Sequence, residues 1–279
     1  MHELDISFGD GRTLHVYDTV LRSDSRLAVM WHHGTPNIGS PPEPLFPAAD
    51  RLGIRWVSHD RPGYGGSTRN PGRDVGSVAN DVETIVDALG IERFAVLGHS
   101  GGGPHALACA ALLPDRVLAA VSISGLAPFD AGALDWFAGM APAGIASLRA
   151  AAQGRVAKER HEATAGEQDP GFIPADLTAL EGEWSWFMEV VGPAIAAGQG
   201  GLIDDDLAFV APWGVDPAQI AVPTLLLHGG QDRIVPSSHG EWLGRSIPTA
   251  ELHVELDAGH ISIMRSAAST LKWLRDVTN

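Results

Sequence analysis

With 279 residues the chain has room for one large core plus an insertion, because open-sheet enzymes of about 200–250 residues fold as single units. Its 44% hydrophobic and 19% charged residues, with 33 Gly and 19 Pro spread along it, exclude a low-complexity or disordered protein, and a formal net charge of −15 without a run of Lys or Arg disfavours nucleic acid and anionic membrane surfaces as partners. Cys109 is the single cysteine, which excludes an intrachain disulfide and a cysteine-based zinc site; with no basic-then-apolar leader after Met1 and no stretch of about 18 apolar residues, the expectation is a soluble, cytoplasmic protein.

Residues 4–8 and 14–17 alternate apolar and polar side chains around Asp10-Gly11, the pattern of a hairpin. Short apolar runs bounded by turn residues follow at 27–31, 54–58, 94–97, 118–123, 224–227 and 252–256. Between most of them lie stretches with helical spacing. The clearest covers 75–89, where Val78, Val82, Ile85, Val86 and Leu89 recur at three- and four-residue intervals, Asp81, Glu83 and Asp87 face elsewhere, and Gly90 closes the run. Strands alternating with helices predict an α/β fold: a mostly parallel sheet covered on both faces, with reactive groups beyond the carboxyl ends of the strands. From 127 to 213 the alternation stops. No strand pattern appears there, and Trp136, Trp184, Trp186 and Trp213 fall among Ala and Gly at helical spacing. This predicts a helical cap over 127–213, inserted into a core made of 1–126 and 214–279.

The run Phe94-Ala95-Val96-Leu97-Gly98-His99-Ser100-Gly101-Gly102 passes from an apolar strand through G-x-S-x-G into the helix former Ala106 to Leu112. A sharp strand-to-helix turn exposes the serine hydroxyl, needs small residues on both sides, and sets the nucleophile at a helix N-terminus that favours developing negative charge. In this setting the motif resembles the nucleophile turn of the α/β-hydrolase superfamily, over nearly the whole chain outside the cap. The resemblance implies an eight-stranded sheet, a Ser-Asp-His triad in that chain order and no cofactor or metal.

A serine hydroxyl needs a base, and twelve histidines compete for that role. His260, in Asp257-Ala258-Gly259-His260, lies in a loop at the carboxyl end of the last strand, where the family carries its base. His2, His161 and His239 are expected to be solvated, His15 and His253 to sit in strands without a companion, His99 to pack beside the serine and His105 to fall in the next helix. The base needs a carboxylate on its far nitrogen. Asp232, in Gly229-Gly230-Gln231-Asp232, follows a strand and resembles the family's acid loop, 28 residues before His260; Asp257 is the rival.

His32-His33-Gly34-Thr35-Pro36 resembles the family's H-G-x-P element, which implies an oxyanion hole from the backbone N–H groups of Thr35 and Gly101, with His33 bracing the loop. Asp60-Arg61-Pro62-Gly63-Tyr64-Gly65-Gly66-Ser67 matches another family turn, in which Asp60 and Arg61 hold the turn near the oxyanion loop and Tyr64 edges the pocket. In the cap, Trp136, Phe137, Trp184, Trp186, Phe187 and Met188 either form an apolar binding wall or pack the cap onto the core. Asp204-Asp205-Asp206 reads as a solvated cluster rather than a metal site, since no His or Glu stands beside it.

The expected protein is thus a serine hydrolase cleaving an ester, thioester or lactone of a small, apolar substrate, as a monomer or homodimer. Two alternatives use the same triad: an aminopeptidase releasing N-terminal proline, and a carbon–carbon bond hydrolase or cofactor-free perhydrolase. A third, of another class, is a non-catalytic ligand-binding protein.

Overall fold

The computed structural model describes residues 1–20, 26–166, 168–196 and 198–279. Strands β1 (His2–Ser7) and β2 (Thr13–Asp18) form the predicted antiparallel hairpin, with Leu4 opposite Val16 and Gly11 turning the chain at a φ of 87°. Strands β3 (Leu27–His32), β4 (Ile54–His59), β5 (Phe94–His99), β6 (Val117–Ile123), β7 (Thr224–Gly229) and β8 (Ala250–Glu255) complete one sheet of eight, ordered β1-β2-β4-β3-β5-β6-β7-β8. Strand β2 joins β4 antiparallel, and every later neighbour is parallel.

Strands β3, β4, β5 and β7 are buried at every position because helices cover both faces. Alternate residues feed two separate cores. Met30, Val96 and Ala120 join Val82 and Ile85 of α2 (Val78–Ala88), Leu107 of α3 (Gly102–Leu112) and Leu243 of α9 (Ser237–Ser246). On the opposite face Trp31, Leu97 and Val121 join Ala49 of α1 (Phe46–Leu52) and Leu271 and Leu274 of α10 (Ala267–Val277). The period-two alternation of a strand thus becomes a sandwich of helix, sheet and helix.

Between β6 and β7 the described residues contain no strand, five α-helices, α4 (Pro142–Ala152), α5 (Arg155–Thr164), α6 (Pro174–Glu181), α7 (Trp186–Ala196) and α8 (Gly200–Phe209), and one short 3-10 turn at Pro217–Gln219. No helix among the described residues is long and apolar enough to cross a membrane.

Several expectations about polar residues are overturned, for one reason: each has a partner on another element of the fold. Asp204, Asp205 and Asp206 lie buried in α8 and not in solvent. Asp204 meets Arg69 and Arg155 at 2.7 Å, Asp205 meets Arg61 and Arg73 at 2.7 Å, and Asp206 meets Lys158. Burial of three adjacent carboxylates is tolerated because each has its cation. His239 is buried, bonded to the Ala127 N–H and the Trp136 carbonyl. His15 lies 2.8 Å from Asp5 and 3.3 Å from Glu3, so it has companions across the hairpin. Asp81 turns inward to Arg12 at 3.1 Å.

Candidate active site

Ser100 occupies the turn between β5 and α3 with a φ of 55°, a left-handed conformation that an L-residue adopts only under constraint. Crowding explains the glycines around it. A Cβ on Gly98 would lie 2.2 Å from the Gly102 carbonyl oxygen, and one on Gly102 would lie 1.9 Å from that of His32. The turn is therefore packed directly against the end of β3.

His260 Nε2 lies 2.8 Å from Ser100 Oγ and its Nδ1 lies 2.7 Å from Asp232 Oδ2. A carboxylate only accepts, so Nδ1 carries the proton, which leaves Nε2 to accept from the serine hydroxyl. Asp232 follows β7 and is fixed by the Ile234 and Val235 N–H groups, both donating to Oδ1 at 2.9 Å. Burial works to raise its pKa, but the charge and hydrogen bond of His260, with His228 and the Val235 N–H, outweigh that and hold it below the usual carboxylate range. Asp257 is exposed and makes no bond to His260, so of the two candidate acids only Asp232 touches the ring. His99, beside the serine, donates to the His260 carbonyl at 3.0 Å and is driven to a pKa of about 3 by burial and the neighbouring His260, so it cannot act as a base near neutrality.

The Thr35 and Gly101 backbone N–H groups have no hydrogen-bond partner among the described residues. The two residues are adjacent: a Cβ on Gly101 would lie 2.4 Å from Thr35 Oγ1. The loop that carries Thr35 is braced from beneath. Arg61 donates to the carbonyls of His33 and Gly34 and to Thr35 Oγ1, the Arg61 N–H donates to His33 Nε2 at 3.0 Å, and Thr35 Oγ1 donates to Asp205 at 2.6 Å. Burial and the charge of Arg61 keep His33 neutral, which leaves its Nε2 free to accept. Asp60 holds the next turn through the N–H groups of Gly39 at 2.6 Å and Gly66 at 2.9 Å.

A cavity of about 580 Å³ opens over Ser100 and His260. Phe172, Leu180, Phe187, Val191, Leu202 and Ile234 supply apolar wall, while Asn37, Ser147, Glu162 and Gln168 are its polar points. Of the expected pocket residues only Phe187 and Met188 line it. Tyr64 is buried with its hydroxyl donating to Asp205 at 2.8 Å, so it braces the Thr35 loop and does not edge the pocket. Trp136 packs on Phe129, Phe137 and His239 in one core, and Trp184 and Trp186 lie behind Phe187 in the other, Trp186 against Trp31. Large rings bury most apolar area when enclosed by core, which here wins over lining a cleft.

Two contributors carry no sequence signal for the site. Asp176 on α6 accepts the backbone N–H groups of His260, Ile261 and Ser262 and the Ser262 hydroxyl at 2.8–3.2 Å, so α6 holds the loop that bears His260. Its position after Pro174 marks a helix start, but nothing local indicates a partner some 84 residues onward. Asn37 directly follows the Thr35-Pro36 pair. No cluster of His, Cys, Asp and Glu suited to a metal ion occurs among the described residues.

A family model described as the alpha/beta hydrolase fold matches residues 28–267. The chain is 29% identical to a bifunctional esterase/perhydrolase of Acinetobacter calcoaceticus over 75% of each chain. It is 30% identical to a 2-hydroxy-6-oxo-6-phenylhexa-2,4-dienoate hydrolase of Comamonas testosteroni, over 85% of this chain and 82% of that one. The crystal structure of an enol-lactonase from Burkholderia xenovorans superposes with a TM-score of 0.72 at 22% identity, covering 98% of this chain and 99% of that one, a likeness of fold. The chain belongs to the α/β hydrolase family and is a hydrolase.

Proposed function

We propose that this hydrolase cleaves a carboxylic ester or lactone of a small, largely apolar molecule through an acyl-enzyme on Ser100. The observation that carries the reading is the continuous hydrogen-bonded chain from Asp232 through His260 to Ser100 Oγ, opening on an apolar cavity beside two unpartnered backbone N–H groups. Ser100 Oγ attacks the carbonyl carbon while His260 Nε2 takes its proton, and Asp232 stabilises the imidazolium. The N–H groups of Thr35 and Gly101 receive the oxyanion, a contact typically supplying about 100–1,000-fold in rate per donor. His260 then returns the proton to the leaving alcohol, and water, activated by the same base, clears the acyl group.

The five helices between β6 and β7 act in this reading as a lid that shapes the binding cavity. The dienoate named for the Comamonas relative is a carboxylate. Among the described residues no Lys or Arg lines the cavity, whereas Glu162 does, and that favours an uncharged ester over such an anion. Labelling with a fluorophosphonate tests the proposal. The wild type should be labelled covalently and Ser100→Ala should not; a folded wild type that stays unlabelled overturns the catalytic reading and leaves a ligand-binding protein in its place.

A further inference from the structure

Asn37 is only 5% exposed, yet its carboxamide makes no hydrogen bond to any described residue. Its amide atoms are not sealed off, since neither is among the fully buried polar atoms that lack a partner, so their bonding is left to be completed from the cavity, by water or by a group on a ligand. Asn37 lines the cavity over Ser100 together with Gly34, Thr35 and Pro36. Its reach to the reacting centre is short: its Nδ2 and Ser100 Cβ lie 3.2 and 3.6 Å from the same point, the position a Cβ would take on Gly34. The backbone that carries it is anchored on its C-terminal side, where Ile38 N–H donates to the Val190 carbonyl at 3.0 Å and Gly39 N–H donates to Asp60.

The other polar points of the cavity differ in kind. Glu162 and Ser147 are both engaged by Lys158, whose third partner is Asp206, so that end of the wall is already satisfied. Gln168 is exposed, so among the described lining residues Asn37 alone combines burial, closeness to Ser100 and unused capacity to donate and accept.

We infer that Asn37 is a specificity-determining residue that hydrogen-bonds a neutral polar substituent, a hydroxyl, keto or amide group, within a few bonds of the scissile carbonyl. The preferred substrates of the proposed esterase are therefore oxygen-substituted esters or lactones, and not plain alkyl ones. The inference rests on the ester reading given above. A substituent of this kind completes the amide's bonding, whereas an unsubstituted analogue leaves it unpaired. An anionic substituent gains nothing, since no Lys or Arg among the described residues lines the wall.

The test compares kcat/KM for matched pairs. On the acyl side the pair is p-nitrophenyl 3-hydroxybutyrate and butyrate, with the hemisuccinate as the anionic probe; on the alcohol side it is 2-hydroxyethyl and propyl butyrate. In the wild type at least one hydroxylated member should exceed its partner by about 10-fold or more, and the hemisuccinate should be the poorest acyl donor. In Asn37→Leu that preference should fall to near unity, with Asn37→Ala as a second variant if the leucine melts early. Absence of a preference in the wild type overturns the inference, as does a preference that survives in a folded variant or a favoured hemisuccinate. Fluorophosphonate labelling separates the two levels: labelled protein without the preference defeats the role of Asn37, and unlabelled wild type defeats the ester reading beneath it.

Discussion

Asp232 and Asp257 stand 28 and 3 residues before His260, and both are carboxylates in loops beside the sheet. Only Asp232 reaches the Nδ1 of His260, at 2.7 Å. Asp232→Asn should lower kcat by about 10⁴-fold, because the amide presents a donor where the imidazole needs an acceptor and favours the wrong tautomer. Asp257→Asn should leave kcat within about twofold, and steady-state kinetics on a p-nitrophenyl ester checks both. Local sequence favoured Asp232 by its strand, its spacing and the family resemblance, but the bond to the ring nitrogen is a property of two loops packed together. The same limit explains Tyr64, whose place in a glycine-rich turn beside the site suggested a pocket edge. Its hydroxyl goes instead to Asp205, 141 residues away.

Helices α6 and α8 do more than roof the cavity. Asp176 of α6 satisfies three consecutive backbone N–H groups and one hydroxyl in the His260 loop, and Asp205 of α8 joins Arg61, Arg73, Tyr64 and Thr35 beneath the oxyanion loop. Removing a carboxylate that satisfies several buried donors leaves each of them unpaired, at about 1–3 kcal/mol apiece. Asp176→Ala should therefore lower the melting temperature by several degrees and reduce kcat more than it changes KM, because the base is misplaced while the apolar wall remains. Thermal denaturation followed by circular dichroism, together with steady-state kinetics, checks it; an unchanged kcat in a folded variant would separate the insertion from catalysis. Asp205→Asn should slow turnover through the oxyanion loop in the same manner, since Arg61 and Arg73 would lose their shared counter-charge.

Seven histidines, His32, His33, His59, His99, His105, His228 and His239, are held below the ordinary value of 6.5, with burial the largest cause for each. For His59, His99 and His105 the value falls to about 3, and for His239 to about 4. Below pH 6.5 the unfolded chain binds protons that the folded one refuses. Their contribution to stability is thus whole above that pH and is lost as pH falls toward the folded values, at ~1.4 kcal/mol per pH unit for each group fully in that window. Melting temperature should be level through the neutral range and drop steeply below about pH 6, with several protons taken up on unfolding near pH 5. A flat profile down to about pH 4 would show that these rings are not buried neutral in solution.

The alternation of apolar runs with helical spacing determined the α/β architecture, because a strand buried on both faces and a one-sided helix each write their burial into the chain at their own period. All eight strands were legible within two residues at either end. Ser100 was equally legible, since the glycines its turn requires are neighbours in sequence. His260 and Asp232 could be placed by their loops, one in 12 histidines and one of two acids. What tertiary structure alone decided are the partners that close across the sheet and the insertion. These are Asp176 on the His260 loop, Arg61 and Asp205 under Thr35, the withdrawal of three tryptophans into the cores, and the unpaired amide of Asn37 facing the cavity. Burial and pairing belong to residues that meet only when distant segments pack, and no local period encodes such a meeting.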